Sequence, residues 1–282
     1  MLLSLQNEVI EIAVSPRGGA LTHARLRDGR DFLRPLNGDF SVRASACYPL
    51  VPLGNRIGGN RFRFAGREHR LRPNSSDPLY LHGDGWLADW AVTRKEPGLI
   101  ALSHSVKTPD CGVHIYRAEQ RFMLDGNQLR IGISVENQGA EPMPFGLGLH
   151  PFMPARGADI RFRARAFWTE SPENLPESRN PISGAVDFSG GQTLPDLALN
   201  NAYEGWDGRA DILWPDGPGL VMRADPVFSV LMAYAPADDR SFFCLEPMTH
   251  LPNALNMEGQ PGMTTLAPGE SLAGAVSFTV TG

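Results

Sequence analysis

The chain has 282 residues, 42% of them hydrophobic and 20% charged, with a formal net charge of −5. This composition excludes a disordered chain, and the mild acidity gives no basic footprint for nucleic acid. Three cysteines, Cys47, Cys111 and Cys244, are odd in number, far apart and without CxxC spacing, which argues against a disulfide framework or a cysteine-rich zinc site.

The N-terminal stretch MLLSLQNEVIEI has no basic start and no long apolar run, and no segment approaches the ~18 apolar residues of a membrane span. The expectation is a cytoplasmic protein with no membrane partner. Glycine (30) and proline (24) recur at short intervals that leave little room for long helices. Residues 24–33 predict a hairpin around Arg27-Asp28-Gly29. The loop PLGNRIGGN at 52–60 follows, in which glycines keep the backbone open while Asn55 and Arg56 project. A planar guanidinium suits the oxygens of a polyol, although an arginine that ties down a turn by bonding carbonyls reads the same way. A second hairpin is predicted at 61–71, turning at Ala65-Gly66.

LHGDGW at 81–86 sets His82 beside two glycines and an indole, a grouping that fits sugar recognition. Trp90 reads better as a core residue. Residues 115–135 alternate apolar and polar around Leu124-Asp125-Gly126-Asn127, a strong hairpin signal because glycine accepts the positive φ of the turn. In FGLGLHPF at 145–152, Phe145, Leu147 and Leu149 share one face, and Gly146, Gly148 and His150 share the other. Glycine in a strand often marks close approach by a ligand or another backbone, so the two glycines are expected to clear a floor beside the imidazole. Residues 175–199 are rich in Pro, Ser and Gly and read as a long surface loop bordering a cleft. FFCLEPM at 242–248 ends an apolar strand on Glu246. Burial there would raise the carboxyl pKa toward neutrality, as a general base requires, while a strand-end Glu paired with an Arg is the plain alternative.

Taken in order, these segments resemble the aldose 1-epimerase (galactose mutarotase-like) family. NRIGGNRFRFAG, LHGDGWLADW, GLGLHPF, FFCLEPMTHLPNALN and a C-terminal LAPGE each match a family block, and the resemblance covers roughly residues 18–278. It implies an all-β, single-domain β-supersandwich of large antiparallel sheets over residues 1–282. It also implies a cofactor-free, metal-free isomerase that acts on a small sugar, as a monomer or homodimer. His150 would be the acid at the ring oxygen and Glu246 the base at the C1 hydroxyl. Arg56, His82, Asn55, Asn200 and Trp206 complete the candidate substrate contacts.

One departure stands out. Asn200 occupies the place of the family's sugar-binding Asp, with Asn201, Glu204 and Asp207 as alternatives should the register differ. A carboxylate accepts at both oxygens, so Asn200→Asp is expected to tighten the grip on a hydroxyl pair, by about tenfold. Two rival readings stay open: a hexose-6-phosphate 1-epimerase, for which Arg156, Arg161 and Arg179 are candidate rim cations, and a non-catalytic carbohydrate-binding protein on the same scaffold. A metal hydrolase using His82, His150, His250 and Glu246 lacks any helix-spaced ligand motif.

Overall fold

The computed structural model describes residues 2–282. Most of its strands gather into two large sheets, antiparallel throughout. One has ten strands, in the spatial order Leu3–Gln6, Ile10–Ser15, Ala20–Leu26, Cys47–Leu50, Gly148–Pro154, Phe242–Met248, Val230–Ala235, Leu199–Glu204, Ala166–Glu170 and Pro176–Asn180. The other has eight: Asp159–Phe162, Arg209–Leu213, Gly219–Ala224, Ser271–Thr281, Gln128–Asn137, Tyr116–Asp125, Leu99–Val106 and Ala91–Glu96. Among the described residues there is no α-helix, only five three-residue 3₁₀ turns. The all-β, supersandwich expectation holds.

Period-two patterning explains the pairing of the sheets. Along Gln128–Asn137, Leu129, Ile131, Ile133 and Val135 are buried while their neighbours are only partly so. These residues share one core with Ile12, Val14, Leu149 and Leu245 of the opposite sheet. Each such aliphatic side chain contributes about 1.5–3 kcal/mol when fully buried. The predicted hairpins at 61–71 and 115–135 form as Arg61–Phe64 with Arg67–Arg70 and Tyr116–Asp125 with Gln128–Asn137, the latter turning through Gly126 at φ 52°. The expected hairpin at 24–33 is only half made. After one bridge between Arg25 and Asp31, the buried Phe32 and Leu33 turn inward and donate their N–H groups to the Ala24 carbonyl. The stretch 175–199 is not wholly a loop, because Pro176–Asn180 adds an edge strand.

Two central strands, Gly148–Pro154 and Phe242–Met248, are buried on both faces. Leu149, Met153, Phe243 and Leu245 point into the inter-sheet core. Phe152, Cys244 and Met248 point the other way, into a second cluster with Tyr48, Trp86 and Met232. The face of the sheet turned away from the main core therefore has an apolar bed of its own, and polar groups set into it are dehydrated.

The glycines of 145–152 make room for protein, not for a ligand. A Cβ on Gly146 would lie 2.1 Å from His250 Cδ2, and one on Gly148 would crowd Leu50, the Pro247 carbonyl and Met248. The His250 ring is fully engaged: Nε2 accepts from the Gly54 N–H at 3.0 Å and Nδ1 donates to the Leu251 carbonyl at 2.8 Å. Gly146 in turn donates to the Pro52 carbonyl at 2.8 Å. The loop carrying Asn55 and Arg56 is thus pinned to the central strand through an imidazole that only a glycine opposite can admit. Gly146→Ala should cost about 1–3 kcal/mol in urea denaturation, because neither ring nor strand can yield; wild-type stability would show that the contact is slack.

Candidate active site

The register of the two central strands brings the candidate acid and base together. Gly148 pairs with Met248 and Phe152 with Cys244, so His150 and Glu246 stand opposite each other on the same face. His150 Nε2 lies 3.3 Å from Glu246 Oε1, and both side chains are buried. The neighbouring strands extend the row: Tyr48 pairs with His150, and Met232 with Glu246. A second row runs from Phe152 and Cys244 to Tyr234 and Asn200. Above these rows is an open cleft of about 270 Å³, at the small end for ligand sites and suited to a single sugar ring.

His150 packs against two aromatic rings. Its ring centroid lies 4.5 Å from Tyr48 and 4.6 Å from Phe152, at 29° and 21° between planes, and those two rings are themselves 5.9 Å apart. The Arg34 guanidinium lies 3.7 Å from the centre of the Phe152 ring. Burial, followed by the Arg34 and Arg43 charges, pushes the imidazole down to about 3. Burial pushes the Glu246 carboxyl up to about 8, partly opposed by Arg56 and reinforced by Glu170. Both groups are driven toward their neutral forms, which places the proton of the pair on the carboxyl. His150 Nδ1 and Glu246 Oε2 are buried without partners, a cost that a purely structural pair would not be expected to carry.

The loops supply the rim. Asn55 and His82 hold each other: the Asn55 N–H donates to His82 Nδ1 at 3.1 Å, and the His82 N–H donates to the Asn55 carbonyl at 2.9 Å. Both adopt positive φ, 57° and 61°. That bond fixes the His82 hydrogen on Nε2. Burial, and then the charges of His150, Arg56 and Arg43, hold the ring well below the usual imidazole value, so it is a neutral donor. Arg56 bonds Asp77 Oδ2 through Nε at 3.0 Å and Nη2 at 2.9 Å, so its partner is a carboxylate and not the carbonyls of a turn.

Asn200 lines the cleft. Its alternatives are occupied elsewhere. Asn201 Nδ2 donates to the Trp168 carbonyl, Glu204 accepts from Trp168 Nε1 and Arg179, and Asp207 accepts from the Arg209 N–H. Trp206 is a correction. Its indole is buried in the inter-sheet core, with Nε1 donating to the Arg209 carbonyl, and it lines no part of the cleft. The indoles of Trp86 and Trp90 are likewise buried, so the aromatic surface comes from Tyr48, Phe152, Tyr234 and Phe242. Arg156, Arg161 and Arg179 bond the Asp31 carbonyl, the Gly190 carbonyl and Glu204, and none lines the cleft.

Sequence reasoning missed Arg34, Arg43, Tyr48, Asp77, Tyr234 and Glu170. Strand parity could have found Tyr48 and Tyr234, which lie in register with His150 and Cys244; the loop residues carry no periodic signal. Glu170 accepts from Asn200 Nδ2 at 2.9 Å, and burial pushes its carboxyl up to about 7, partly opposed by Arg56 and Asn200.

The family model described as Aldose 1-epimerase matches residues 1–279. The uncharacterized protein YphB of Escherichia coli K12 is 35% identical over 289 residues, covering 99% of this chain and 98% of that one. A crystal structure of a candidate aldose 1-epimerase from the same organism superposes with a TM-score of 0.94 at 34% identity, over 99% of this chain and 98% of the other. A galactose mutarotase-like protein of Clostridium acetobutylicum shares the fold, with a TM-score of 0.88 at 18% identity over 99% and 94% of the two chains. The chain belongs to the aldose 1-epimerase family.

Two predictions follow from this geometry. The Glu246 carboxyl is raised on folding from 4.5 to about 8. Its ionised form therefore opposes folding, and the loss of stability grows as pH rises from about 4.5 to about 8. At ~1.36 kcal/mol per pKa unit this reaches the order of a few kcal/mol. Glu246→Gln should match wild type near pH 4.5 and exceed it by about 5 °C or more in Tm at pH 8; a pH-independent difference would remove the buried-carboxyl account. For Asn200, the contact with Glu170 leads to the opposite expectation from the one drawn on sequence. Its donor nitrogen is bound to Glu170, so the oxygen is the atom it can offer a ligand, and Asn200→Asp would set two carboxylates in contact. Its kcat/KM should fall about tenfold below wild type at pH 8 and recover toward pH 6, where the pair holds a proton; parallel pH profiles would contradict this.

Proposed function

We infer that the chain is an aldose 1-epimerase that interconverts the α and β anomers of a small sugar by acid–base opening and reclosure of the ring. The observation that carries this reading is the 3.3 Å approach of His150 Nε2 to Glu246 Oε1 on the floor of the cleft. An aldose lying over the pair places its C1 hydroxyl at the carboxylate and its ring oxygen at the imidazole. Glu246 takes the hydroxyl proton while the proton of the pair, transferred to His150 Nε2, passes to the ring oxygen. The C1–O5 bond breaks, an aldehyde forms, rotation about C1–C2 exposes the other carbonyl face, and reclosure returns both protons.

Arg56 supports the ionised carboxylate from the Glu246 side, and Asp77 fixes its orientation. His82 Nε2–H and Asn55 Nδ2, which has no protein partner among the described residues, are donors for hydroxyls. Asn200 supplies an acceptor oxygen. The chemistry is proton transfer alone, so the proposal requires no cofactor. A carbohydrate-binding protein without activity would have no use for a buried carboxyl that opposes folding at neutral pH.

Polarimetry of freshly dissolved α-anomers across a panel of aldoses tests the reading. Wild type should accelerate mutarotation, and Glu246→Gln should lose about 10²–10⁴-fold in kcat while still binding sugar, since an amide keeps hydrogen bonds but takes no proton. Near-wild-type turnover in that variant would refute the assigned base.

A further inference from the structure

The cleft holds more positive charge than a neutral sugar needs. Arg34, Arg43 and Arg56 all line it. Arg56 is answered by Asp77. Among the described residues neither Arg34 nor Arg43 forms an ion pair with a carboxylate, although the chain as a whole is acidic. The acid that acts on Arg34, Asp239, is exposed and already bonded to Ser241.

A structural role accounts for only part of each side chain. Arg34 Nη2 donates to the Arg43 and Ser45 carbonyls, but its Nε is buried without a partner. Arg43 donates to Ser75 Oγ at 3.3 Å and lies 5.2 Å over the Trp86 ring. Both cations stand on the His150 side. Arg34 covers Phe152, which stacks on His150; Arg43 covers Trp86, which stacks on Tyr48 and through it on His150. Arg56 instead acts on Glu246. In a pyranose bound with C1 at Glu246 and the ring oxygen at His150, the next atoms beyond that oxygen are C5 and its exocyclic C6.

Resting on the epimerase reading for that orientation, we propose that Arg34 and Arg43 form an anion subsite beyond the ring oxygen, and that the aldose taken by this chain carries a carboxylate or phosphate monoester on C6. An anion seated there neutralises the two charges that hold protons off His150. The substrate would thereby favour the protonated imidazole that acts on its own ring oxygen, raising kcat as well as lowering KM.

The test separates binding from turnover. Calorimetry on Glu246→Gln compares glucose, glucuronate and glucose 6-phosphate at low and high salt, and polarimetry on wild type compares their anomerisation. At least one anionic sugar should bind tenfold or more tighter than glucose, with the advantage shrinking in salt. Preference between glucuronate and the phosphate identifies the anion. Arg43→Gln, at an exposed position, should lower the anionic-to-neutral ratio of kcat/KM by about tenfold. Equal affinities, or a variant that scales every sugar alike, would overturn the subsite and leave the epimerase reading intact. Tight anionic binding without anomerisation of any sugar would sink the epimerase reading and keep the subsite.

Discussion

The antiparallel register between Gly148–Pro154 and Phe242–Met248 is the constraint on which the rest of the molecule depends. It sets His150 opposite Glu246 on one face while Leu149 and Leu245 serve the inter-sheet core on the other. A one-residue slip would exchange the two sets, burying the imidazole among aliphatics and opening leucines to the cleft. The same hydrophobic pattern that stabilises the sandwich therefore enforces the geometry of the His150–Glu246 pair. Ladder hydrogen bonds hold that geometry more firmly than a loop could.

Dehydration gives the pair its chemistry, and the surrounding charges divide it. Arg56 favours the charged carboxylate, whereas Arg34 and Arg43 disfavour the charged imidazole. Burial disfavours the charged form of both groups, which holds the proton of the pair toward the carboxyl.

Much of this was legible from the chain alone, for a physical reason. Strands write alternate residues onto opposite faces, so FGLGLHPF and FFCLEPM disclose which side chains share the cleft. The loops obey no such rule. Arg34, Arg43 and Asp77 lie in irregular segments, where nothing in the local sequence says what they approach. Trp206 entered through the resemblance alone, and its indole belongs to the same buried core as Phe162, Tyr203 and Phe228. Gly146 misled more subtly: the close approach was real, but the approaching group was His250. Glu170 was invisible because its part depends on a contact with Asn200 across thirty positions of sequence.

The parity of the floor strands also bears on how this protein can change. Adjacent letters along 148–153 and 243–248 answer to different demands, one to folding and the next to chemistry, with no position serving both through the same face. A saturation scan read for abundance and for activity would oscillate along these segments in opposite phase. The arginine-bearing loops are free of that alternation, so the rim of the cleft can vary while the written order of the floor stays locked.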